Sequence, residues 1–113
     1  MMNDRANTAL LQRLMECIAA CETCADRCLD EQHPGNMAQC IRTDRDCADI
    51  CTLTARYLAR NSPNLPTVMG LCIAICRACE EECLQHEHDH CRDCAKACAA
   101  CRSACEAHAN ALV

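Results

Sequence analysis

The sequence has almost no aromatic residues: Phe and Trp are absent, and Tyr57 is the only Tyr. The bulky side chains that usually fill a protein core are therefore missing. Only three Pro and two Gly occur in 113 residues, so the chain has few break points, and many of its residues are good helix formers. We expect one all-α domain spanning residues 1–113, with a core built from something other than aromatic rings.

Several other features are also lacking. No apolar run approaches the roughly 18–20 residues of a membrane span. The opening residues, MMNDRANTALLQRL, lack the apolar segment of a secretory signal, so a cytosolic location is expected. The net charge of −5 comes from scattered residues without a basic patch, which argues against nucleic acid and membrane partners. No acid/base pair, nucleotide loop or activated nucleophile is evident, and we expect no enzymatic activity.

What the sequence has in abundance is cysteine, with sixteen residues. Five of them lie between Cys91 and Cys105 in the stretch CRDCAKACAACRSAC, at intervals of three and four residues. Residues at these intervals share one face of an α-helix, the face that a bundle helix turns towards its partners. Leucine usually occupies such positions, so thiols take the place of the normal core.

The same spacing recurs in four segments. It predicts helices over about 4–32, 36–60, 65–86 and 89–110, separated by Pro34-Gly35, by Asn61-Ser62-Pro63 and by a break near residue 86. Four amphipathic helices with short connections predict an antiparallel up-down-up-down four-helix bundle with a cysteine-lined core. In a common register the facing core positions form level layers across the bundle. Between the second and third helices these layers pair Cys51 with Cys72, Cys47 with Cys76, Asp44 with Cys79 and Cys40 with Cys83, and they place Cys17 and Cys24 of the first helix level with Cys51 and Asp44. Leu10, Leu58 and Leu65 close one end, and His and Met residues lie at the other end, which we call the mouth.

The chemistry of thiolates indicates which metal ion could fill this core. Thiolates bind soft ions, including Cu(I), Zn(II), Cd(II) and iron–sulfur clusters. Cu(I) accepts two or three bridging thiolates, so about one ion per thiolate gives a neutral array that a dry core can hold. Zn(II) needs about four thiolates and leaves negative charge at every site. The pattern favours Cu(I). A zinc or cadmium sequestering protein, an electron-transfer protein and a disulfide-based redox sensor are the alternatives.

Cysteine ladders on four helices, with soft donors at one end, resemble the bacterial four-helix-bundle copper storage proteins, over essentially the whole chain. The resemblance implies a cytosolic store for many Cu(I) ions that serves copper homeostasis and detoxification. It also implies a homotetramer, with copper ions and a copper chaperone or small-molecule copper carrier as partners. It assigns Cu(I) binding to Cys17, Cys21, Cys24, Cys28, Cys40, Cys47, Cys51, Cys72, Cys76, Cys79, Cys83, Cys91, Cys94, Cys98, Cys101 and Cys105.

Six further residues are candidate ligands. The resemblance implies that histidine and methionine admit the metal at the mouth, where the candidates are Met37, His33, His86, His88 and His90. A surface histidine cluster without a role is the alternative interpretation of residues 86–90. Asp44 departs from the pattern, because it places a carboxylate in a layer of thiols. It is either a minor ligand or a hydrogen-bond partner of a cysteine.

Overall fold

The computed structural model describes residues 4–111, and four α-helices form most of this length. They are α1 (Asp4–Cys28), α2 (Ala38–Ala59), α3 (Leu65–Cys83) and α4 (Asp89–Ala111), and a 3₁₀ helix, Pro34–Met37, precedes α2. Both α1 and α3 pack against α2 and α4. With short connections this arrangement is an up-down-up-down bundle, measuring 50 × 19 × 18 Å. The predicted fold class is confirmed.

The core follows the spacing of three and four residues in the sequence. At the closed end it is apolar, with Leu14 and Met69 fully buried and Leu10, Leu58 and Leu65 nearly so. Thr54 is also fully buried there, and its hydroxyl donates a 2.7 Å hydrogen bond to the carbonyl of Ile50. This bond satisfies the buried hydroxyl within its own helix. Beyond this apolar plug, cysteine occupies nearly every core position.

The first helix is shorter than predicted, because it ends at Cys28 and not near residue 32. The backbone N–H groups of the next three residues donate hydrogen bonds to carbonyl oxygens three residues earlier. Leu29 donates to Asp26, Asp30 to Arg27, and Glu31 to Cys28. Such tight bonds end an α-helix. The 3₁₀ turn at Pro34 then delays the start of α2 to Ala38. Residues 29–33 consequently lie over the end of the bundle where the mouth was predicted.

The other two connections fall close to the predicted breaks. α2 ends at Ala59, and Asn61 adopts a left-handed conformation with φ of 53°, which asparagine tolerates better than most residues. α3 ends at Cys83, a few residues before its predicted end, and residues 84–88 connect it to α4. None of the helices within residues 4–111 combines the length and apolar character that a membrane-spanning segment needs.

The apolar plug should carry much of the stability of the metal-free protein. Leu14 is 0% exposed, so Leu14→Ala leaves a cavity and should lower the free energy of unfolding by about 2–5 kcal/mol. Urea denaturation of the reduced, metal-free protein measures this change. Leu84→Ala is the control, since Leu84 is 64% exposed and its truncation should change the value by less than about 0.5 kcal/mol. Equal effects of the two substitutions would contradict the assigned core.

Candidate metal centre

All sixteen cysteines lie in the bundle core as free thiols, and each of their side chains is 0% exposed. They are buried together because each helix repeats them on one face, and the four faces meet at the axis. Sulfur atoms of neighbouring cysteines lie 3.7–4.0 Å apart, well beyond the ~2.05 Å of a disulfide bond. The thiols thus form a continuous column along the bundle.

The predicted register is confirmed between α2 and α3. Asp44 Oδ1 lies 3.3 Å from the Cys79 sulfur, in the middle of the predicted set of facing pairs. The other pairs of this set in sulfur contact are Cys51 with Cys72 at 3.9 Å, Cys47 with Cys76 at 3.7 Å, and Cys40 with Cys83 at 3.9 Å. These two helices therefore contribute level layers to the column.

The prediction of flat layers is wrong for α1. Cys17 was expected level with Cys51, and the two sulfurs lie within 4.8 Å of each other, but the Cys17 sulfur also lies 3.7 Å from that of Cys47, one turn earlier in α2. Cys24 likewise contacts the Cys40 sulfur at 4.0 Å. The thiols of α1 therefore sit between the layers of the other helices. Helical spacing determines which face a residue occupies, but it does not determine the axial offset between two helices.

This offset joins the thiols into overlapping groups of four. In each group the ligand atoms lie within 4.8 Å of one another. Because thiols are shared between groups, the column offers bridging positions more readily than isolated tetrahedral sites. The groups include Cys17/Cys51/Cys76/Cys101, Cys17/Cys21/Cys47/Cys98, Cys21/Cys79/Cys94/Cys98, Cys24/Cys28/Cys40/Cys91 and Cys24/Cys40/Asp44/Cys83.

Hydrogen bonds among the thiols divide them into easily and poorly ionised members. Bonds from Cys40 and Cys83 lower the pKa of Cys24 to about 5. Burial, acting with the charge of Cys24, raises the pKa of Cys91 far above its ordinary value. A thiolate such as Cys24 is thus solvated by neighbouring S–H groups. Soft metal ions bind thiolates, so filling this column must release protons.

Asp44 lies fully buried among the thiols. Its Oδ1 accepts hydrogen bonds from Cys79 and Cys94 at 3.3 Å each and from Cys83 at 3.6 Å, and Cys40 lies 3.9 Å from Oδ2. Burial, followed by the negative charge of Cys94, raises the pKa of Asp44 to about 12. The metal-free protein at neutral pH therefore holds this side chain as a neutral acid that bonds several thiols at once.

His90 stands where the thiol column meets the surface. Its Nδ1 lies 3.4 Å from the Cys24 sulfur, 3.5 Å from Cys91 and 4.0 Å from Cys28. Its Nε2 lies 2.6 Å from a carboxylate oxygen of Glu31. Burial alone would lower the pKa of His90, but the contacts with Cys24 and Glu31 raise it overall. The imidazole is thus held with one nitrogen towards the sulfurs and the other towards a surface carboxylate.

The remaining mouth candidates differ in how close they come to the column. The ring of His88 stacks on His90 with centroids 5.4 Å apart and planes 6° apart, and its Nδ1 lies 3.4 Å from Glu31. His86 pairs with Glu82 at 2.8 Å. Met37 is buried in the core, whereas His33 is exposed. Of the five candidates, His90 is the one for which sulfur contacts are observed.

Sequence reasoning missed Glu31, which holds both His88 and His90. One signal was present: Glu31 follows Cys28 by three residues and so continues the α1 stripe. The hydrogen bond to His90 lowers the pKa of Glu31 below its usual range, so the carboxylate keeps its charge. It gives the surface of the mouth a negative group directly beside an imidazole.

Comparison with known proteins agrees with this geometry. The sequence profile of Csp, the copper storage protein family, matches residues 3–110. The chain belongs to the copper storage protein family. The chain is also similar to the uncharacterized cysteine-rich protein YhjQ of Bacillus subtilis. The two are 40% identical over 89 residues, which are 79% of this chain and 82% of YhjQ.

Solved copper storage proteins share the fold over nearly their whole length. The Cu(I)-bound copper storage protein BsCsp3 of Bacillus subtilis superposes with a TM-score of 0.88 at 40% identity, covering 92% of this chain and 98% of that protein. A cytosolic copper storage protein from Streptomyces lividans, solved with five coppers, also gives a TM-score of 0.88 at 40% identity and covers 91% of each chain.

The buried carboxyl group of Asp44 should make the stability of the metal-free protein depend on pH. The folded protein holds the Asp44 proton up to a pKa of about 12, whereas the unfolded chain releases it near 3.8. The metal-free fold therefore loses stability as pH rises between these values. Asp44→Asn removes this loss, and it should stabilise the metal-free protein at pH 7 by on the order of 2–4 kcal/mol.

Urea unfolding of reduced protein from pH 5 to 7.5 measures this effect as the difference between variant and wild type. The difference should grow with pH, by up to about 1.4 kcal/mol per unit. Asp46→Asn is the matched control, because Asp46 lies exposed on the same helix. A difference that stays constant across this pH range would contradict the buried neutral acid.

Proposed function

We propose that this protein stores Cu(I) in the cytosol by binding many ions along its thiol column. The observation that carries the proposal is the continuous column of sixteen buried thiols, all within one bundle. The membership in the copper storage protein family and the Cu(I)-bound relative BsCsp3 support it. The cytosolic location rests on the Streptomyces relative, which is described as cytosolic.

Charge favours Cu(I) over a divalent guest in this core. The groups of four share their thiols, so adjacent sites cannot all be separate tetrahedral sites with four thiolates of their own. Shared thiolates suit Cu(I), for which about one ion per thiolate gives no net charge in a low-dielectric interior. A zinc or cadmium store would retain negative charge at each site and would hold far fewer ions.

We propose the sixteen cysteines as the ligands that retain copper, with Asp44 as a hydrogen-bond partner that a nearby ion can displace. At the mouth, His90 passes an incoming ion to the thiols of Cys24 and Cys91, because its Nδ1 is within 3.5 Å of both. His88 and His86 form the outer approach with their carboxylate partners. Met37 is a soft donor inside the mouth, and His33 lies at its exposed rim.

The wider setting of the store is also part of this proposal. We assign no enzymatic activity to the chain, in keeping with a family named for storage. Copper reaches the mouth on a copper chaperone or a small-molecule carrier, since a thiol store must receive an ion that cells keep bound. Exposed apolar side chains, including Met15 at 60% and Leu71 at 54%, suit association into a homotetramer. We also propose that residues 1–113 form one domain.

The decisive experiment is an anaerobic titration of the reduced protein with Cu(I) in competition with a coloured chelator. Sixteen thiols used four at a time would saturate at about four ions per chain, whereas bridging thiolates predict saturation well above that number. A parallel titration with Zn(II) is the control. Saturation at four or fewer Cu(I) ions, or tighter binding of Zn(II), would overturn the proposal.

The role of His90 can be separated from that of the thiols. His90→Ala removes the nitrogen nearest to Cys24 and Cys91 and should slow Cu(I) uptake several-fold, while the final number of bound ions changes by at most one or so. Anaerobic stopped-flow measurement of transfer from a Cu(I)–chelator complex gives the rate. Gln32→Ala is the matched control, because Gln32 is exposed and has no assigned role. Equal rates for the two variants would argue against a transfer role for His90.

A further inference from the structure

His108 is a buried histidine that the mouth and the thiol contacts do not explain. It occupies the last core-facing position of α4, at the closed end of the bundle, and only 6% of the residue is exposed. Its Nε2 is shielded from solvent and has no hydrogen-bond partner among the described residues. Buried polar atoms are nearly always partnered, so this imidazole nitrogen requires an explanation.

A second unpartnered atom lies at the same level. Asn7 Oδ1 is the other buried side-chain atom without a hydrogen-bond partner in the described part of the chain. α1 and α4 run antiparallel, and the Cys17 sulfur lies 3.8 Å from that of Cys98. Following both helices towards the closed end from this contact places Asn7 level with His108. Both atoms are buried at this end of the bundle, and they do not bond each other.

Cys105 adds a soft donor to this region. It precedes His108 by three residues on α4, so the two side chains occupy the same face one turn apart. The Cys105 thiol donates hydrogen bonds towards Cys101 and Cys72, which raise its pKa and link it to the rest of the column. Cys105 is therefore the last thiol of the column, and His108 is the next donor beyond it.

Burial lowers the pKa of His108, which keeps the imidazole neutral and leaves a nitrogen lone pair free to bind a metal ion. His108 also borders an open groove of about 330 Å³ between α1 and α4, which Cys105 does not line. A neutral imidazole beside a thiolate is a suitable donor pair for a soft monovalent ion.

We propose that Cys105 Sγ and His108 Nε2 form a Cu(I) site that ends the thiol column opposite the mouth. The site rests on the proposed function, because the ion reaches it along the column. It extends the store by one mixed sulfur–nitrogen position. Asn7 contributes a further buried polar group at the same level of the bundle. The apolar plug of Leu10, Leu58 and Leu65 then closes the bundle around a metal-binding position.

The test uses a full-length variant in which His108 is the only histidine, with His33, His86, His88 and His90 each replaced by alanine. This protein, labelled with ¹⁵N in histidine, is titrated with Cu(I) to saturation under anaerobic conditions. We expect the Nε2 resonance of His108 to shift strongly as the last equivalents bind. A resonance that stays at its metal-free position through saturation would overturn the site, since a purely structural histidine keeps its protonation and its surroundings.

Ion counting provides a second measurement on variants with an intact mouth. His108→Leu fills the same space without a nitrogen and should bind about one Cu(I) fewer per chain than wild type. Asn110→Leu, at an exposed position of the same helix, is the control and should match wild type. An unchanged count for His108→Leu would contradict the site. Should wild type itself bind only a few ions, the storage function fails; when wild type binds many and His108 does not respond, only the terminal site fails.

Discussion

The confinement of thiols to one face of each helix is the constraint on which this structure depends. A cysteine side chain is small, and a bundle lined with cysteines has little of the apolar bulk that normally drives helices together. The apolar residues that remain are concentrated at the closed end, where Leu14 and Met69 are fully buried. The metal-free fold is thus anchored at one end, while the thiol region gains its full cohesion only from the guests it binds.

The same confinement explains the electrostatics of the interior. Thiols deprived of water solvate one another, so ionisation of Cys24 is favoured while that of Cys91 is opposed. Asp44 is held neutral in this setting, and its carboxyl group bonds four thiols in two adjacent layers. Incoming Cu(I) replaces protons with cations of equal charge. The core can therefore exchange one population of positive charges for another without becoming strongly charged.

Much of the fold could be predicted because cysteine marks helix faces as clearly as leucine does. The break near residue 86 was predicted although neither Pro nor Gly lies there. Cys83 and Cys91 are eight residues apart, whereas the regular spacing of three and four residues would place them seven apart. The early end of α1 could not be predicted, since the bonds that close residues 29–31 depend on local backbone geometry. Glu31 was missed for that reason, and so was the choice of His90 over His33 as the histidine in contact with sulfur. The axial offset of α1 depends on how the helices pack, and the spacing of residues along a single helix does not determine that.

The offset of α1 has a consequence for how the protein fills. Because its thiols lie between the layers of the other helices, Cys17, Cys21 and Cys24 each belong to more than one group of four. An ion bound in one group alters the charge and geometry offered by the next, so successive ions do not bind independently. The capacity is then not a fixed number of compartments. It behaves as a graded reservoir, in which the arrangement of the ions already held changes with each one added or withdrawn.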